Sequence, residues 1–431
     1  MVFGNRYKSQ EFKIADIDQW KERAKMWASH HTHFCYLNHN NYDLNFGTFP
    51  HLLAAGSSQI FIPSNGNTFS SLQDFSDTSK SAIFGYFGYD LKNEIESLES
   101  KNQDNLQFPD VVFFVPQHII QFLPDGVIIY SEQRPEEIFE EIASYNKDSI
   151  KPITINGWNN DISKAEYQGL VEKIKLHIED GDFYEINLCL EFIISNSIID
   201  PYTYYNKLNQ ASPMPFSIFF GADENYILCA SPERFLKKAG RQVLSQPIKG
   251  TSKRSKIESE DLSLKQMLLN SDKERSENMM IVDLVRNDLA KSCVPGSIQV
   301  DELFGVYSFP NIHQMISTIS GTVKEGLQPT QVIENAFPMG SMTGAPKVRA
   351  MQMIDKFENS KRGAFSGAAG YILPNGDFDL NVLIRSIFYN EPKKTISFHV
   401  GSAITYDSVS DEEYHECMLK AKVMLEVLDK K

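Results

Sequence analysis

The sequence predicts an α+β fold built on a large antiparallel sheet system. Apolar runs of strand length recur along the chain, among them "VVFFV" (111–115), "GVIIY" (126–130) and "YEINLCLEFII" (184–194). The returns between most of them are short, which favours antiparallel neighbours over helical crossovers. Helical spacing is confined to a few separate segments instead of alternating with every strand.

Residues 1–150 read as strands separated by loops, with "SAIFGYFGYD" (81–90) a clear example. "HHTHFCYLNH" (30–39) puts His31, His33 and Cys35 on one face of a half-exposed strand, and its spacing matches no common zinc site. Polar "SLESKNQDNLQ" (97–107) reads as a surface loop and "KPITINGWNNDI" (151–162) as a linker. Ser163 and Glu166 then form a capping-box pattern. Tyr167, Leu170, Val171, Ile174 and Ile178 keep helical spacing, and Gly181 stands where a C-cap belongs. Strands follow at "FSIFF", "YILCA" and "QVLSQPI", a helix over about 272–291 and another over about 345–357. "GAAGYIL", "FDLNVLIRSIFY" and "TISFHVGSAITY" read as strands before a last helix at about 411–429. No repeat of 20–50 residues is visible.

With 431 residues the chain has room for one large unit or two to three domains. It is 42% hydrophobic and 12% aromatic, enough for a packed core. A net charge of −14 disfavours nucleic acid and anionic membranes, leaving small molecules and proteins as the expected partners. Five scattered cysteines without a C-x-x-C pair read as reduced thiols of a cytoplasmic protein. No apolar run reaches the length of a membrane span, and the N-terminus carries no apolar signal core.

Several stretches carry chemistry. Glu274 and Glu277 lie three apart at the start of one helix; Glu413 and Glu416 do the same on another, with Lys420 four further on. Two such pairs offer the hard oxygen ligands that Mg²⁺ takes. The alternative is acidic first turns facing the helix dipole, with Glu416–Lys420 as a surface pair. "GSMTGAPK" (340–347) fails the phosphate-loop pattern, and Pro346 fits the first position of a helix. Glu233 in "SPERF" is placed to act as a general acid or to pair with Arg234. Lys249 in "QPIKGT" stands in a tight turn before Gly250 and Thr251, an unusual place for a solubilising lysine.

"GDFYEINLCLEF", "ASPERFL", "QPIKGT", "DKERSENMMIVDLVRNDL", "GSMTGAPKVRAM", "GAAGYI", "NVLIRS", "GSAITYDS" and "EEYHECMLKA" follow one another in an order that resembles the chorismate-utilising enzymes. That family includes the large subunits of anthranilate synthase and aminodeoxychorismate synthase, with isochorismate and salicylate synthases. The resemblance implies a chorismate-binding region over 160–428, with 1–150 as the variable N-terminal part of the same fold. It implies two large antiparallel sheets packed as a sandwich, helices outside, and an active site at the sandwich edge. It implies Mg²⁺ on Glu277 and Glu416, supported by Glu274 and Glu413 through water. It places Tyr371, Arg385 and the backbone of Gly401, Ser402 and Ala403 on a substrate carboxylate, Lys420 facing a carboxylate, and His313 and Thr343 in the pocket lining.

The anthranilate synthases carry alanine in "PIAGT", whereas aminodeoxychorismate synthases carry "PIKGT". The lysine therefore implies amination at C4 of chorismate, on the way to 4-aminobenzoate and folate. Lys249 would add at C2, provided its pKa is lowered enough to free the amine, and Glu233 would protonate the leaving C4 hydroxyl. Most relatives have glutamine where this chain has Glu185; isochorismate and salicylate synthases have a water-activating lysine near that point, so water addition is not expected here. The chain shows no G-x-C-x-G elbow, so ammonia is expected from a separate glutaminase subunit. Anthranilate formation and a non-catalytic regulatory homologue are the alternatives. Whether tryptophan binds in the sheet sandwich stays open.

Overall fold

The computed structural model describes residues 1–63, 66–145 and 153–429. Among them, twenty strands join through antiparallel ladders into one continuous network. The network folds into two large sheets that share long strands. Val111–Leu123 pairs with Ile83–Phe87 through its first half and with Leu52–Phe61 along most of its length. From Leu52–Phe61 one sheet runs through His33–Asn38, Phe216–Ala222, Asn225–Ser231, Ser386–Asn390 and Thr395–Ile404 to Glu185–Ile194. From Ile83–Phe87 the other runs through Ala368–Ile372, Phe378–Val382, Arg234–Ala239 and Gln242–Gln246 to Ile312–Thr322, which also holds Ile248–Lys253 and Gln299–Ser308.

The period of two in the strands sorts side chains between two cores. Cys35, Leu37, Ala54, Ile218 and Phe220 pack into one core, shared with Phe84, Phe113, Leu236 and Ile319 of the second sheet. Their sequence neighbours Phe34, Tyr36, Leu53, Ala55 and Phe219 pack into the other, under helices. Trp20 and Trp27, Tyr167 and Val171, Tyr204 and Tyr205, and Ala421 and Met424 line the helix side of that layer. Each large apolar side chain so buried contributes roughly 1.5–3 kcal/mol over exposure. The α+β class and the packed antiparallel sheets expected from sequence are what is found.

Several expectations are corrected. Residues 1–150 are not strands and loops alone: Ile17–Ala28, Thr68–Ser79 and Pro135–Ser144 are helices. Asp16 caps the first through Gln19 N at 3.0 Å, and Trp20, Ala24 and Trp27 form its buried stripe, so the signal was present. Helices Pro201–Ala211, Glu258–Leu269 and Pro329–Ala336 also went unread. The His33–Asn38 strand is buried on both faces, because helices cover one and the second sheet the other. "FDLNVLIRSIFY" is two strands, broken where Arg385 adopts a left-handed φ of 52°. Pro346 is the N-cap of Lys347–Phe357 and not its first residue. The capping box at Ser163 and Glu166 forms as read. Of the 151–162 stretch, Lys151 and Pro152 lie outside the described residues; Asn159–Asn160 pairs with the sheet, and Thr154 forms an isolated bridge to Ile198. Among the described residues no helix is long and apolar enough to cross a membrane.

Candidate active site

Lys249 sits in a bulge. The ladder between Ile248–Lys253 and Ile312–Thr322 shifts register between Ile248 and Thr251, leaving Lys249 and Gly250 out of step. Gly250 has φ +96°, and a Cβ there would stand 3.0 Å from Glu274 Oε2 and 3.3 Å from Met315. Only glycine meets both the conformation and the approach. Asn278, from Asp272–Ser292, steadies the bulge: its Nδ2 donates to the carbonyls of Lys249 and Met315, and its Oδ1 accepts from Ser317 at 2.6 Å.

The bulge turns the lysine inward, leaving it 8% exposed, with Nζ donating to Glu185 Oε1 at 2.6 Å. This corrects the expectation of a lowered lysine pKa. Burial pulls the amine down, but Glu185, with Glu277 and Glu416 behind it, outweighs burial and leaves the pKa raised. The resting side chain is an ammonium in an ion pair.

Glu233 is buried between two strands and accepts from Ser341 Oγ at 2.6 Å. Burial pushes its carboxyl up to about 7, against the pull of Ser341 and Lys249. It does not pair with Arg234. Glu233 lies in the short link before the strand that Arg234 opens, and Arg234 makes a buried two-pronged contact with Asp379 at 2.8 and 3.0 Å, over the Phe216 ring. Ser341 belongs to the 340–347 loop. Lys347 holds that loop by pairing with Asp288 and donating to the carbonyls of Ala336 and Pro338. Thr343 is buried there, its hydroxyl spent on the carbonyls of Met339 and Gly340 and its own carbonyl accepting from Asn187 N at 2.8 Å.

The two glutamate pairs face each other across helices Asp272–Ser292 and Ser410–Leu428. Lys273 Nζ lies 3.3 Å from Glu413 and 4.0 Å from Glu277, and Glu416 raises Glu274 electrostatically after burial. Glu277 Oε1 is buried without a hydrogen-bond partner among the described residues. Burial pushes Glu277 up to about 8; Lys249 and Lys273 oppose this, while Glu185 and Glu274 add to it. Glu416 is about half exposed, and Lys420 outweighs the cost of its partial desolvation and leaves its pKa lowered. The i, i+4 pair read as an alternative does form, Lys420 Nζ to Glu416 at 2.7 Å, and the same ammonium donates to Gly401 O at 2.7 Å. Among the described residues no three side chains close a metal site by themselves. A cation such as Mg²⁺ needs only one or two carboxylates when substrate and water supply the rest. The orphaned oxygen and the mutual repulsion of these glutamates fit that need.

Arg385 is half-buried, and its guanidinium makes no hydrogen bond or ion pair among the described residues. Burial pushes it down to about 10, with Glu416 opposing. An unpartnered buried cation fits an arriving carboxylate. Tyr371 is buried on Ala368–Ile372, its hydroxyl pKa raised by burial first and Asp379 second. Gly401, Ser402 and Ala403 pair with Glu185–Ile194 on one side, while the other neighbour of their strand stops at Ser397. Ser402 Oγ meets Tyr167 OH at 2.8 Å. His313 is less available than expected: Ser308 and Asp261 hold its two ring nitrogens at 2.9 and 3.1 Å. Thr251 is exposed at the rim. Sequence reasoning missed Ser341, Asn278 and Lys273, although each stands inside a stretch already singled out; nothing in one dimension marks which residue of a run touches the chemistry.

Residues 26–426 match the model of the chorismate binding enzyme family. The chain belongs to the chorismate-binding enzyme family. Aminodeoxychorismate synthase component 1 of Salmonella typhimurium is 34% identical over 80% of the chain and 76% of that protein. Chloroplastic aminodeoxychorismate synthase of Arabidopsis thaliana is 35% identical over 78% of the chain, which spans 39% of that longer protein. Anthranilate synthase component I from Streptococcus pneumoniae superposes with a TM-score of 0.77 at 24% identity, covering 89% of this chain and 93% of that one. The structural likeness places this chorismate-binding enzyme in the same fold.

Proposed function

We propose that this enzyme replaces the C4 hydroxyl of chorismate by an amino group, giving 4-amino-4-deoxychorismate. The observation that carries the reading is a buried lysine amine, Lys249, in the same site as a second buried carboxyl, Glu233, near enough for the ammonium to pull on its pKa. Amination at C2 by ammonia needs no amine from the protein. Amination at C4 is eased by one: the lysine adds at C2, the ring double bonds shift, and the C4 hydroxyl leaves with a proton from Glu233. A carboxyl pushed up to about 7 is substantially protonated at neutral pH and suits that step. Ammonia adds at C4, the double bonds shift back, and the lysine is released. Arg385 is suited to orient the enolpyruvyl carboxylate, whereas Tyr371, expected beside it, is packed in the core near the Arg234–Asp379 pair.

Glu277 and Glu416 would hold Mg²⁺, with Glu274 and Glu413 behind them. When bound, the ion supplies charge neutralisation at the ring carboxylate. Lys273 competes with it for the same carboxylates. Lys273→Met is therefore expected to tighten Mg²⁺ binding several-fold by calorimetry, in line with about 1 kcal/mol for a half-exposed ion pair. Equal affinity in parent and variant would show that the ammonium does not compete.

The matching bacterial relative is called component 1, and ammonia is proposed to come from a glutaminase partner. All five cysteines are buried, and burial raises every thiol pKa, the reverse of what a glutaminase nucleophile needs. The test is product identification by mass and retention time with chorismate, Mg²⁺ and either ammonium or glutamine. The isolated chain is expected to give 4-amino-4-deoxychorismate with ammonium and nothing with glutamine. Anthranilate as the product overturns the regiochemistry; glutamine use by the chain alone overturns the partner.

A further inference from the structure

Glu185 has no part in the reaction as written above, yet it is the group in contact with the reacting nitrogen. Its place is built with care. It begins strand Glu185–Ile194, and its carbonyl lies against Gly344, where a Cβ would come within 2.1 Å of it; Gly344 has φ +150°. The Gly344–Ala345 ladder thus sets the Glu185 backbone by close approach. The side chain is 1% exposed, its Oε1 takes the 2.6 Å bond from Lys249, and its Oε2 is buried with no hydrogen-bond partner among the described residues. Glutamine at this position would accept the same hydrogen bond but could not accept a proton.

An ammonium has no lone pair to add to C2. The proton on Lys249 Nζ must leave first, and the Glu185 oxygen is its contacting acceptor. We propose that Glu185 is the base that takes the proton from Lys249 as chorismate seats, and returns it when the lysine is expelled. This rests on the C4-amination reading above. An N–H bond of Nζ breaks and an O–H bond forms on Glu185. The freed pair makes the Nζ–C2 bond, the ring electrons shift, and the C4–O bond breaks to release water with the Glu233 proton. Ammonia then makes the C4–N bond, the electrons shift back, and the C2–Nζ pair returns to Nζ. Glu233 recovers a proton from the new C4 ammonium, and Glu185 gives its proton back to Lys249. The sum is chorismate plus ammonia to aminodeoxychorismate plus water. Desolvation by the seated substrate favours the transfer, since a buried ion pair loses ground to its neutral form as water leaves.

The test follows the rate of Lys249 adduct formation by intact mass, in single turnover without ammonia, across the pH range for the parent and Glu185→Gln. The charged groups facing Lys249 are Glu185, Glu274, Glu277 and Glu416, with Glu233 nearby. Loss of the Glu233 proton sets the alkaline limb in both proteins, so the acid limb is what distinguishes them. The parent is expected to hold its rate on the acid side, because the proton moves within the pair. Glu185→Gln must release it to solvent and is expected to lose about tenfold per pH unit there, with chorismate affinity unchanged. Glu185→Asp, which keeps a carboxylate, is expected to restore the parent's profile shape, and it serves if the glutamine variant fails to fold. Superimposable profiles, or a glutamine variant faster throughout, overturn the proposal and leave Glu185 as a restraint on the ammonium. If the parent itself forms no adduct on Lys249, the lysine-addition reading fails instead.

Discussion

Lys249→Ala is expected to lose aminodeoxychorismate formation by about 1,000-fold or more, the scale on which removal of a covalent nucleophile acts. The bulge that carries it is held by Gly250 and Asn278 and not by the lysine side chain, so the fold should survive. Removing the amine also strands its buried partner, which costs about 3–5 kcal/mol where a buried ion pair is broken, so the variant's melting temperature is read alongside its rate. The variant leaves the Glu185 carboxylate buried without the bond it accepts from Lys249. Withholding ammonia from the parent should let a covalent adduct accumulate, and peptide mass analysis should place it on the peptide containing Lys249. In the variant the adduct disappears. The turn then reads "PIAGT", and ammonia reaching C2 should yield a trace of anthranilate-type product. Near-parent rates in Lys249→Ala, together with no adduct in the parent, would make the lysine a structural partner of Glu185.

Glu277→Ala is expected to abolish Mg²⁺-dependent turnover. A Lewis-acid contribution of several kcal/mol corresponds to a loss of about 100-fold or more. Folding should move the other way in metal-free protein. Burial raises Glu277 to about 8 when folded, above its value in the unfolded chain. Its charged form therefore destabilises the fold, a cost absent at low pH that grows as pH rises from the unfolded value towards about 8. Metal-free Glu277→Gln should accordingly melt a few degrees higher than the parent at pH 8 and equal it near pH 4, on the order expected for a change of 1–2 kcal/mol. Adding Mg²⁺ should stabilise the parent and leave the variant unmoved. Ordinary activity of Glu277→Ala at ordinary Mg²⁺ would remove Glu277 from the metal assignment.

The sequence by itself determined the sheet-based α+β class, because strands buried on both faces are written as local apolar runs bounded by turn residues. It determined the candidate chemistry, because Lys249, Glu233 and the two i, i+3 glutamate pairs stand in short contiguous stretches. Helix Ile17–Ala28 was legible too: Asp16 and the Trp20–Ala24–Trp27 stripe sit within a dozen residues, and the surrounding strand-rich text outweighed them. What only the tertiary structure decided is which groups share a site and in what state. Glu185 and Lys249 are 64 positions apart in the chain and 2.6 Å apart in space, and that contact turned an expected free amine into an ammonium. Arg234 and Glu233 are neighbours in sequence and part company in space, since Ser341 holds the glutamate and Asp379, 145 positions on, claims the arginine. The kink at Arg385, whose guanidinium has no partner among the described residues, was hidden inside what read as one strand. Local patterns record backbone geometry and the burial of each face; charge state depends on distances between residues that the chain brings together only when it folds.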